Sequence, residues 1–174
     1  MRTFSKIAAA ALGAALVTVP AVAQSTATAS ASSTSRITAP ITLTKDTDLA
    51  FGTVVRTSDA NSNTVTINET TGARTITGTG SGALVASTTS RATYTVNGEG
   101  GQAFAITVPG TVVMTSGANN LTVNLTGSAA SGTLSGSLGS AGSATFGVGG
   151  NFSLGQSQAS GAYSGSFNTT VAYN

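Results

Sequence analysis

Gly161-Ala-Tyr-Ser-Gly-Ser-Phe-Asn-Thr-Thr-Val-Ala-Tyr173-Asn174 is the stretch whose reading decides the fold. Gly161, Tyr163, Gly165, Phe167, Thr169, Val171 and Tyr173 share one parity, and small or polar residues fill most of the alternate positions. That is the period of a strand with one face against a core. Chain ends ordinarily fray, yet this alternation runs to within one residue of Asn174. Something is expected to hold it. The simpler expectation is a last strand tucked into its own sandwich. The sharper one adds that the same strand is a docking edge for another chain.

The other end reads as an address. Arg2 and Lys6 give a positive start, Ile7 to Val19 is an apolar run, and Ala21-Val-Ala23 is a small-residue cleavage box. This is the pattern of a secretory signal peptide over residues 1–23, too short for a membrane span. Two of the seven basic residues leave with it, so five bases face five acids. A neutral chain gives no reason to expect a nucleic-acid or anionic-membrane partner.

The remainder of the chain is long enough for one domain with its own core. Charged residues are only 7% of the sequence, with Thr, Ser and Gly in their place. Thr and Val favour strands, Gly and Asn favour turns, and nothing favours helices. With no cysteine, an exported fold has no disulfide. Residues 24–36 begin as Gln-Ser-Thr-Ala-Thr-Ala-Ser-Ala-Ser-Ser-Thr-Ser, in which Ala27, Ala29 and Ala31 alternate with hydroxyls. Such a segment buries too little to order itself, and is expected to be a flexible extension. Its alternation also suits a strand added to another chain's sheet.

From residue 37 the pattern strengthens. Ile37, Ala39, Ile41 and Leu43 alternate with Thr38, Pro40, Thr42 and Thr44, and Pro40 assigns that strand to an edge or a strand switch. Lys45 to Asp48 reads as a polar turn before the strand Leu49-Ala-Phe-Gly-Thr-Val-Val55. Thr64 to Asn68 and Ala73 to Thr77 flank a hairpin turn. Strands come next over Ala83 to Thr88, Ala92 to Asn97, Ala103 to Val108, Val112 to Thr115 and Leu121 to Leu125. Ser128 to Ser143 reads as a long loop or weak hairpin, and Thr145 to Leu154 as a strand with a bulge at Gly149-Gly150. About ten short strands with Gly- and Asn-rich turns predict an all-β, immunoglobulin-like antiparallel β-sandwich over residues 37–174.

Little chemistry is available to it. The chain has no histidine and no cysteine, which removes Ser-His-acid triads, thiol nucleophiles and zinc sites. Of the carboxylates Asp46, Asp48, Asp59, Glu69 and Glu99, only Asp46 and Asp48 are neighbours, and calcium needs six to eight oxygens. Gly78-Thr-Gly-Ser-Gly82 has no helix pattern after it to bind an anion. The expectation is a protein that is not an enzyme and uses no cofactor and no metal.

The region from Ile37 to Tyr173 resembles a family of small secreted bacterial domains of unknown function. The likeness rests on Pro40-Ile-Thr-Leu43, Asp48-Leu-Ala-Phe-Gly-Thr-Val54, Phe146-Gly-Val-Gly-Gly150, Gln158 to Gly161, and the closing Tyr163-x-Gly165-x-Phe167-x-x-x-Val171-x-Tyr173. That family is in turn similar in pattern to chaperone–usher fimbrial subunits, whose sandwich lacks one strand. The resemblance implies a filament subunit, exported through the inner membrane to the cell surface and polymerising with copies of itself by donor-strand complementation. It also implies a periplasmic chaperone and an outer-membrane usher as partners. The tail, with Ala27, Ala29 and Ala31, is the candidate donor. Alanine methyls contribute only about 0.8 kcal/mol each on burial, so such a donor predicts a shallow acceptor groove held mainly by backbone pairing. The alternative is a monomeric secreted or surface-attached β-sandwich that binds a ligand such as a glycan. The Phe and Tyr residues mostly fall at core parity, which favours the subunit.

Overall fold

The chain divides into two units, Met1–Ser35 and Arg36–Asn174, and the computed structural model describes residues 25–174. The expected signal peptide, together with Gln24, lies outside the described residues. In the first unit residues 25–35, including Ala27, Ala29 and Ala31, have no secondary structure and are all exposed.

Twelve strands and no helix make up the described part of the second unit. They are β1 (Thr42–Thr47), β2 (Val54–Val55), β3 (Asn63–Ile67), β4 (Arg74–Gly78), β5 (Ala83–Leu84), β6 (Ala92–Glu99), β7 (Ala103–Thr107), β8 (Thr111–Ser116), β9 (Asn119–Gly127), β10 (Ser131–Thr133), β11 (Ala141–Leu154) and β12 (Thr170–Tyr173). All pairings are antiparallel. The larger sheet runs β1-β6-β11-β3-β4, with β9 and then β8 attached to β11; the smaller runs β10-β7-β12, and β2 pairs only with β5. Together they form the all-β sandwich expected.

Its core is built by alternation. Val65 of β3, Val96 of β6, Val123 of β9 and Val148 of β11 are completely buried. Threonines between them face outward, since a β-branched side chain suits either face of a pleated strand. Tyr94 stacks on Phe146, and Phe51 meets Phe152 edge to face with ring centres 5.0 Å apart.

The 14-residue β11 joins everything else. Its first part pairs with β6 as far as Val148↔Ala92, and its second pairs with β3 from Gly150↔Ile67. β9 lies on the opposite edge, Val148↔Gly127 to Asn151↔Asn124. Where the partner changes, the chain beyond β3 crosses close over β11. A Cβ at Gly147 would fall 2.3 Å from the Glu69 carbonyl oxygen, and one at Gly149 2.3 Å from that of Ile67. The expected bulge at Gly149-Gly150 is absent, because the ladders on either side keep their register. These glycines serve close approach.

Several boundaries differ from the periodicity. Lys45 to Thr47 continue β1, with an irregularity between Lys45 and Thr47, so no turn forms there. Ile37 to Pro40 lie outside any strand. Only Val54–Val55 of the Leu49 to Val55 run is strand; Arg74 donates to the carbonyls of Phe51 (2.8 Å) and Thr53 (3.1 Å), and Thr53 O also accepts the Val85 N–H. Ser128 to Ser143 holds β10 and the start of β11.

Replacing Gly149 by Ala is expected to destabilise the fold by about 1–3 kcal/mol, as overpacking does. Gly155→Ala should be neutral or slightly stabilising, since its Cβ would meet no atom within 4 Å. Urea midpoints at equal m-value check this; equal midpoints would remove the packing argument.

Candidate functional site

The terminal stretch from Gly161 to Asn174 is not one strand. Only Thr170–Tyr173 is ladder, pairing with β7 from Thr170↔Thr107 to Tyr173↔Phe104. Nearer its start, Ser164 makes a single antiparallel pair with Thr115 of β8, with N–H to O distances of 2.8 and 3.0 Å. The stretch thus leaves the edge of one sheet and joins the edge of the other. Gly161 and Gly165 permit the first contact: a Cβ on them would fall 2.3 Å from Ser116 Oγ and 2.6 Å from the Val113 carbonyl oxygen. Tyr163, Phe167, Thr169, Val171 and Tyr173 all point inward and are half-buried. The parity holds where the ladder does not.

Along this stretch runs the first part of the domain, residues 41–56. β1 has β6 on one edge of the larger sheet, β12 has β7 on one edge of the smaller, and the two strands come close to each other without pairing. Among the described residues no main-chain hydrogen bond joins residues 41–56 to residues 157–174. This is an open seam between two strand edges.

The seam has two hollows. A small one of about 200 Å³ lies among Lys45, Asp48, Leu49, Tyr94 and residues 165–167. A larger one of about 840 Å³ lies between residues 49–56 and 158–163. Phe51, Met114, Leu121, Phe152 and Leu154 give it apolar walls. One rim is tied by Arg74; the other by Tyr163, which donates to Ala159 O (2.8 Å) and accepts from Gln158 Nε2 (2.6 Å). Arg56 Nη1 donates across to Gln158 O at 2.9 Å. Large side chains stand around this hollow without filling it.

The far end of the seam is closed by a clasp that the sequence does not announce. The Tyr173 hydroxyl accepts from the Glu99 N–H (2.7 Å) and donates to Ala39 O (3.0 Å). The Glu99 carboxylate accepts from the N–H of Gly139 (2.5 Å) and of Ala39 (3.3 Å). Both main-chain groups of Ala39 are therefore held by side chains. The Gly139 and Ala39 donors hold the Glu99 carboxyl below its ordinary value of 4.5, against the cost of burial and with help from the Arg36 charge. The only hint in sequence was an acid inside Gly98-Glu-Gly-Gly101 of a chain with few acids.

The family described as "Domain of unknown function (DUF4402)" matches residues 41–173. The chain belongs to the DUF4402 family. No curated protein and no solved structure matches it. The DUF4402 match takes in both edges of the seam and Tyr173, and begins two residues after Ala39. Nothing in it links the family to chaperone–usher fimbriae.

A depressed carboxyl contributes stability that is present above its unfolded value and lost as pH falls through its folded value. Wild type and Glu99→Gln should therefore differ in urea midpoint at pH 7 and converge as the pH falls below about 4.5. A gap independent of pH would mean that the carboxylate charge does not hold the clasp.

Proposed function

We propose that this protein is a structural subunit of a cell-surface filament, in which copies polymerise by lending a strand to one another's seam. The observation that carries this reading is the seam itself: two strand edges, β1 and β12, side by side with no ladder between them. Unpaired edges are a standing template for another chain, and adding a strand there is a recognised mode of association. The groove at one end, with Phe51, Met114, Leu121 and Phe152 on its apolar side, gives the incoming strand somewhere to bury side chains. The exposed residues 25–35 offer a strand that could leave its own domain. The reading entails export, a periplasmic chaperone that covers the seam before assembly, and an outer-membrane usher.

One observation favours a second reading. A groove of about 840 Å³ falls within the roughly 300–1,000 Å³ of small-molecule sites, as a monomeric binding or adhesion module requires.

Light scattering on the purified full chain separates the two. A subunit gives concentration-dependent multimers, and a synthetic peptide of residues 24–43 in excess shortens them by capping open seams. A monomer at every concentration, indifferent to the peptide, would favour the binding module.

A further inference from the structure

We propose that Ile37 of one copy seats in the groove between residues 49–56 and 158–163 of a second copy, so that a knob and a socket on one chain link copies head to tail. The inference rests on the polymerisation reading and names the contact it would use.

Ile37 is 92% exposed, well beyond the other large apolar residues described, the next being Leu138 at 57%. It is not left out for want of order nearby. Two residues on, Ala39 is fixed through both its main-chain groups by Glu99 and Tyr173, and Pro40 then leads into β1. The clasp thus fixes the chain two residues from Ile37. Residues 25–36 before it offer no side chain larger than threonine except Arg36, so Ile37 is the one anchor this lead-in can present.

The socket matches it in chemistry. Its apolar side has Phe51 and Phe152 edge to face beside Met114, Leu121 and Tyr163, while Thr53, Arg56, Gln158 and Ser160 line the rest. On one rim, Val54 and Val55 pair with Leu84 and Ala83, and Thr53 O takes the Val85 N–H. Those bonds occupy one edge, and the groove borders the other. A branched aliphatic side chain on an extended segment meets both requirements, an apolar cavity and a main-chain edge.

The same copy cannot satisfy both. Ala39 lies before β1 and the socket after it, and β1 alone spans about 20 Å at roughly 3.3 Å per residue. A contact between two different patches of identical chains is heterologous, and such contacts propagate into open rows unless the rotation closes a ring. Knob and socket thus make a filament of the kind proposed.

The chain has no cysteine, which makes cross-linking specific. A chain carrying both Ile37→Cys and Ala162→Cys, the latter an exposed residue lining the groove, should form a ladder of disulfide-linked multimers under mild oxidation. Either substitution alone should stop at dimers. Leu138→Cys with Ala162→Cys, at another exposed apolar site outside the groove, should give no ladder. Ile37→Ser should weaken self-association at least about tenfold with an unchanged melting temperature, since Ile37 is almost wholly exposed in its own copy. If wild type assembles and Ile37→Ser assembles as well, or the Leu138 pair cross-links as readily, the Ile37 contact is wrong and strand exchange through other residues stands. If wild type is monomeric at every concentration, the filament reading and this contact both fall.

Discussion

One strand, β11, has to serve three partners, and the rest of the architecture depends on its being able to. Its ladder passes from β6 to β3 on one edge while β9 occupies the other. That exchange brings the backbone at Ile67 and Glu69 over Gly147 and Gly149, closer than any Cβ allows. Interiors are packed near crystal density, so a methyl there has nowhere to go without moving a strand. With the crossing in place, the four central valines from β3, β6, β9 and β11 meet in one core.

Fixing the centre leaves the margins to the two ends of the domain. β1 and β12 finish on opposite sides of one seam, and at its far end only the Glu99–Tyr173–Ala39 clasp draws them together. The edges are guarded lightly. Lys45 on β1 is the kind of charge that discourages edge pairing, yet Asp48 bonds it at 2.5 Å and, by that bond and its charge, holds the ammonium above its ordinary value of 10.5. Lys45 is thereby paired, which leaves Asp46, bonded by the Thr95 hydroxyl, as the charge on this edge. A hydroxyl-covered surface with 7% charged residues adds little repulsion. Thr169, just before β12, holds the one buried side-chain oxygen without a partner among the described residues.

Much of this was legible in the sequence. Alternation in Ala92 to Val96 and in Leu121 to Leu125 marked strands and faces correctly, because there local periodicity and tertiary burial agree. The inward parity of Tyr163, Phe167, Val171 and Tyr173 was likewise legible. The continuity of that strand was not, because a stretch that changes sheets keeps its pattern while losing its ladder. Phe51 shows the same limit. Its surroundings look like a strand, but its own carbonyl accepts from Arg74, distant in sequence, instead of from a neighbouring strand. The groove was hidden for a related reason: periodicity shows that Phe51, Leu121 and Phe152 turn inward, and cannot show that they leave a hollow. Glu99 looked like part of a glycine turn, since its partners Ala39, Gly139 and Tyr173 come from three other segments.

The central claim is that the seam is open in the single copy and filled by a neighbour. Native-state hydrogen exchange measures it most directly, because it reads main-chain pairing edge by edge. In isolated monomer, amides of residues 42–56 and 158–173 that have no hydrogen-bond partner within the copy should exchange rapidly. On assembly these amides should become strongly protected while those of β3, β9 and β11 hardly change. Unaltered exchange along the seam in assembled protein, with protection appearing elsewhere, would contradict it.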